Sequence, residues 1–140
     1  QEFYERGKLQ SVVVAKAVEY CRWVRDNTDI QISVAAVDEA AAGLIADLAN
    51  NGVPAQAAKG RVLDGIQKMQ DRLKIADDGL PRESVDPSCL NMINEYESYV
   101  WKKIGTAGVV KDEPQKENDH SMDARRYLEV LISDDRWTSF

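Results

Sequence analysis

The sequence predicts an α/β layered domain with at least partly parallel strands. Two short β-rich runs, residues 31–37 and 53–58, are each followed by a helical pattern. The helices repeat apolar residues at a spacing of three and four, and turn residues punctuate the joints. With 140 residues, the chain is one domain's worth of sequence, and residues 1–140 are read as a single domain.

Taken in order, the opening EFYERGK reads as the end of a strand and a turn at Gly7. Ser11 is placed to cap a helix reaching about Asn27, with Val14, Ala17, Val18, Cys21 and Val24 on its apolar stripe. The run 31–37 is a strand closed by Asp38, and DEAAAGLIADLANNG is a helix stopped by Asn51-Gly52. Residues 53–58 form a second strand, with Pro54 suited to its start. Lys59-Gly60-Arg61 turns into a helix that carries Val62, Ile66, Met69 and Leu73 inward. A turn at 76–79 precedes a short strand at 80–85, and Asp86-Pro87 opens a helix bearing Cys89, Ile93 and Tyr96. Residues 99–101 extend into a short strand, 103–118 is a polar loop, and a final helix spans 119–133.

Composition narrows the function classes. The chain is 44% hydrophobic and 30% charged, with a net charge of -6. That balance argues against coating nucleic acid by charge alone, because such binding rests on Lys and Arg neutralising phosphates. It still permits a nuclease whose carboxylates hold a divalent cation. No apolar run approaches the roughly 20 residues of a membrane span, and no signal-peptide pattern opens the chain. Cys21 and Cys89 lie far apart without CxxC spacing and only one His accompanies them, which argues against a structural zinc site, and both read as reduced thiols of an intracellular protein. Because the chain begins at Gln1 within structured sequence, it reads as a fragment.

Two carboxylates carry the chemical interest. Asp38 closes the clearest strand, and ligands of α/β sheets gather at the carboxyl ends of strands. Its plain alternative is a helix cap. In the last helix, Ala124, Tyr127, Leu128 and Leu131 mark the buried stripe, with Arg125, Arg126 and Glu129 pointing away. His120, the sole histidine, falls within that stripe, and Asp123 on its flank reaches toward the sheet edge. The plain alternative there is a first-turn acid favoured by the helix dipole.

Four segments in order, VAAVDEAAAGLIADLANNG, AAKGRVLDGIQKMQDRL, DPSCLNMINEYESYVWKK and DEPQKENDHSMDARRYL, resemble the C-terminal nuclease domain of the tailed-bacteriophage terminase large subunit. EYESYVWKK and NDHSMDARRYL carry the most specific likeness. The resemblance implies an RNase H-like fold, helices packed on a mixed sheet. It also implies endonucleolytic cutting of concatemeric double-stranded DNA with Mg²⁺ or Mn²⁺ in a two-metal site. In that family the second acid matches Asp38 and the third matches Asp123, with His120 as a helper beside the metal. The terminase small subunit and the portal protein are the implied partners, and the bacterial host cytoplasm the implied place.

One departure is serious. The family's first acid sits on a β-hairpin ahead of the EFYERGK-like segment, so that hairpin is missing here, and neither Glu2 nor Glu5 matches its position. No Walker-type motif of the motor domain is present. The isolated chain is therefore expected to be a poor nuclease. Lys59, Arg61, Lys102 and Lys103 are candidate phosphate contacts, with solvated surface charge as the plain alternative. Other readings are a non-catalytic module docking the motor or portal, or another RNase H-like enzyme such as a transposase or resolvase.

Overall fold

The computed structural model describes residues 2–4, 7–104 and 109–132. Their order is α1 (Gln10–Asn27), β1 (Ala35–Asp38), α2 (Ala42–Asn50), β2 (Ala55–Ala58), α3 (Val62–Leu73), α4 (Leu90–Ser98), β3 (Trp101–Ile104), β4 (Val109–Pro114) and α5 (His120–Ile132). The chain is α/β, and it divides into two compact units: residues 5–59, and residues 60–140 together with 1–4.

In the unit 5–59, β1 and β2 pair in parallel, from Ala35↔Ala55 to Asp38↔Ala58, and α2 makes the crossover between them. This is the βαβ arrangement that parallel neighbours require. Leu48 of α2, Val14 of α1 and Val53 form a buried cluster, with Val18, Leu44 and Val37 packed around it. Apolar residues recurring along each helix supply that face, and their removal from water is the main term holding α1 and α2 to the strands. A specific device ends α2. Gly52, at φ +79°, follows the cap residue Asn51, and the amides of Gly52 and Val53 bond the carbonyls of Ala49 and Leu48 at 3.0 Å each. Val53 then packs on Leu48, which completes a Schellman stop.

Local expectations shift by a few residues here. Leu9, rather than Ser11, is the cap residue of α1, with no side-chain cap bond. Gln10 instead donates to Asp47 Oδ2 at 2.6 Å, tying α1 to α2. β1 starts at Ala35, four residues later than the β-rich run suggests.

In the other unit, α5 packs against both α3 and α4, and α3 also meets β4. Two glycines permit the close approach of α5. A Cβ at Gly60 would stand 2.7 Å from Val130 Cγ1, and one at Gly65 would collide with the Arg126 stem. β3 and β4 form an antiparallel hairpin, with Trp101 opposite Pro114 and an irregularity between Trp101 and Lys103. Half of the polar loop expected at 103–118, residues 103–104 and 109–114, is thus strand. The strand expected at 80–85 is reduced to an isolated bridge between Ile75 and Pro81, because Pro81 lacks an amide to extend a ladder. Asp86 and Pro87 lie in a turn, closed by the amides of Ser88 and Cys89 on Asp86, and α4 begins only at Leu90. The opening segment is not strand at residues 2–4, and residues 5–6 lie outside the described residues.

The inward face of α5 is the clearest correction. Met122, Arg126, Glu129 and Leu131 are buried, while Ala124 is exposed. Charged residues occupy this face because each is paired. Arg125 forks onto Glu83 with two 2.6 Å bonds and also meets Glu129. Arg72 Nε lies 2.7 Å from the Glu129 carboxylate, and the Tyr96 hydroxyl donates to Glu83 at 2.9 Å. Buried charge is tolerable when it is hydrogen-bonded in this way. Leu73, expected inward, is exposed at the end of α3.

Candidate functional site

The first turn of α5 holds two of the residues singled out in the sequence, His120 and Asp123. A helix start leaves four backbone amides without intrahelical partners. Here the acceptor comes from another element: Glu95 of α4, only 3% exposed, receives Ser121 N at 2.6 Å and Met122 N at 3.2 Å through Oε2. Its Oε1 receives the Tyr4 hydroxyl at 2.8 Å. Three donors make burial of this carboxylate affordable in free energy.

Asp119, directly before α5, keeps its carbonyl on the Asp123 amide at 2.8 Å. The residue is 8% exposed, and its Oδ2 is buried with no hydrogen-bond partner among the described residues. One turn on, Asp123 is half-buried and its Oδ1 accepts from Arg126 Nη2 at 2.8 Å. Burial works against the Arg126 charge, but the bond to Asp123 and its charge, with smaller help from Tyr127 and Tyr99, together hold its pKa above the ordinary guanidinium value. Tyr99 completes the cluster: its hydroxyl is buried without a partner. Its pKa is pushed up to about 12, by burial first and then by the charges of Asp123 and Asp119, against the opposing pull of Arg126.

His120 is exposed, not within the buried stripe, and its ring lies 6.1 Å from the Tyr4 ring. The reason is the rotation of α5 that turns Met122 and Arg126 inward. Asp38 is the last residue of β1, as expected, and is exposed. It does not cap α2, which starts four residues later. Its Oδ1 instead accepts from Ala40 N at 2.9 Å and its carbonyl from Ala41 N at 2.9 Å, shaping the strand-to-helix turn. Asp38 belongs to the unit 5–59, whereas His120 and Asp123 belong to the other.

The basic candidates separate. Lys59 directly follows Ala58, which pairs with Asp38, and is exposed. Arg61 is the cap residue of α3 and is exposed, as is Lys103 in β3. Lys102 is engaged across the hairpin, Nζ to Glu113 Oε1 at 2.9 Å. Gly60 between Lys59 and Arg61 leaves room for the Val130 side chain.

Asp119, Glu95 and Tyr99 were not among the sequence candidates. The four-residue spacing from Asp119 to Asp123 was a visible signal, since such residues share a helix face. Nothing in one dimension marks Glu95, whose role depends on α4 meeting α5. Among the described residues, no three His, Cys, Asp or Glu side chains stand together as a metal-holding group, and no helix is long and apolar enough to cross a membrane. Comparison with family models, curated proteins and solved structures finds no match.

Proposed function

We propose that this chain is a metal-dependent DNA endonuclease domain of the terminase large-subunit type, with an RNase H-like fold and DNA concatemers as substrate. The observation that carries the reading is the carboxylate pair opening α5: Asp123, and one turn before it Asp119 with a buried, unpartnered oxygen. Asp38, at the carboxyl end of a parallel strand, is proposed by the resemblance alone, as the match to the family's second acid. Hard carboxylate oxygens are the donors Mg²⁺ and Mn²⁺ prefer, and Mg²⁺ keeps several waters, so two or three carboxylates fit it. A divalent cation, when bound, supplies Lewis-acid polarisation of the scissile phosphate and an activated water.

The chain's own part is to hold oxygen donors in place. Arg126 fixes the Asp123 carboxylate through one oxygen. His120, exposed beside them, is available to a phosphate or a water. The small subunit and portal are proposed partners of the larger assembly, in the bacterial host cytoplasm.

Plasmid nicking with Mn²⁺ tests the reading. Slow cutting, lost in both Asp38→Asn and Asp123→Asn, is the expected outcome; cutting that survives both substitutions refutes the assignment. A second reading, a non-catalytic module that docks the motor or portal, is favoured by the Arg126 bond that already neutralises Asp123. Millimolar Mn²⁺ that broadens no NMR signal at Asp119 or Asp123 would decide for it.

A further inference from the structure

We propose that Glu95 is the positioning residue for the first turn of α5, setting where His120 and Asp123 stand, with Tyr4 locking Glu95 in turn. The inference rests on the reading of that turn as the working site. Ser121 and Met122, whose amides Glu95 holds at 2.6 and 3.2 Å, lie between His120 and Asp123 in the chain. Any shift of these two amides moves both side chains.

The position that would ordinarily cap α5 is Asp119, and a capping Asp bonds the second or third amide of its helix. Ser121 and Met122 are those amides, and both are taken by Glu95. The capping task has passed to α4, and the Asp119 carboxylate is left out of it, its Oδ2 buried without a partner. A carboxylate at a helix start is also favoured by the helix dipole, so the charge of Glu95 has a directional role.

The strap at residues 2–4 strengthens the case. Glu2 bonds the amides of Asn91 and Met92 at 3.2 and 2.8 Å, at the start of α4. Two residues on, Tyr4 donates to Glu95 and places its ring 6.1 Å from His120. One short segment therefore reaches the starts of both helices. Tyr4 joins the Glu95 carboxylate to the His120 side of the turn.

Two substitutions test this on the full chain. Glu95→Gln keeps the shape and one acceptor oxygen but removes the charge; Tyr4→Phe removes only a hydroxyl and leaves the fold safe. Exchange of the Ser121 and Met122 amides is expected to speed up about tenfold in Glu95→Gln, the scale of a lost cap. The His120 ring resonances and the Asp123 carboxylate carbon shift with it, and Tyr4→Phe moves the same signals less. Mn²⁺ affinity falls by about tenfold or more, as when a residue orienting a ligand is lost. If the amides lose protection while the His120 and Asp123 signals stay put, Glu95 is a plain cap and the proposal is overturned. Unchanged amides overturn it as well. Absence of Mn²⁺ binding in the unsubstituted chain would instead count against the nuclease reading, and the metal-free signals would still decide the role of Glu95.

Discussion

At the scale of single residues, the Glu83–Arg125 fork is the costliest contact to break. Glu83 is 8% exposed and the Arg125 side chain 12%, so Glu83→Ala takes both fork bonds from a mostly buried guanidinium and leaves it the Glu129 pair. A loss of about 3 kcal/mol is expected by urea denaturation, the low end for removing one partner of a buried ion pair. Burial works against the Arg125 charge, but the Glu83 and Glu129 partners raise its pKa, so it stays charged and cannot escape by deprotonation. The tyrosines give a pH prediction. Burial lifts Tyr99 to about 12 and, with the Glu83 bond, lifts Tyr96 further still. Folded tyrosine therefore keeps its proton where unfolded tyrosine has lost it. Stability is present in full below about pH 10 and falls as pH rises toward 12, because there the folded state binds more protons. A urea series across that window, with tyrosinate absorbance alongside, reads it; stability that rises over the window would contradict the assignment. These same residues show why the buried face of α5 was misread. Polarity sent Arg126 and Glu129 outward, but a charged side chain goes inside when a partner awaits it: Arg72 of α3 for Glu129 and, on α5 itself, Asp123 for Arg126 and Arg125 for Glu129.

Among elements, the βαβ unit was the most legible. Alternating short β-rich and helical runs, with Asn51-Gly52 between, yielded β1, α2 and β2 with only small boundary shifts. Gly52→Ala should cost about 1–2 kcal/mol, because the left-handed backbone at φ +79° crowds a Cβ. Leu48→Ala should cost about 2–5 kcal/mol, the usual range for emptying a buried leucine site. Thermal unfolding checks both, and the ordering of the two losses is part of the expectation. The β3–β4 hairpin was opaque for a physical reason. An antiparallel pair with a solvated face needs no continuous apolar run, so KDEP reads as loop until its partner strand is known. Asp38 was placed correctly at a strand end, yet its neighbouring turn hid that α2 starts at Ala42. The start of α5 was found and its chemistry only half seen, since capping by Glu95 of another helix leaves no local pattern.

For the whole molecule, the net charge of -6 sets the terms of any DNA encounter. Repulsion between an acidic chain and a polyanion leaves metal-free affinity low, and a bound divalent cation offsets it locally. Fluorescence anisotropy with a DNA duplex should show weak binding in chelator and stronger binding with Mn²⁺. Equal affinity in both conditions would remove the metal from recognition.

The glycines under α5 have one further consequence. Gly60 faces Val130 and Gly65 faces Arg126, so the numbering runs in opposite directions along the two partners. These two notches key α5 like a shaft, fixing both its slide and its rotation from Arg126 onward. The turn bearing His120 and Asp123 lies beyond that key, where Glu95 holds it. One alanine inserted between Asp123 and Arg126 would leave the key engaged and swing the acidic turn by about 100° away from Glu95. The same alanine placed after Val130 would leave the turn where it is. Index and working end are thus separable by a single codon, which gives a way to move the site without rebuilding the fold.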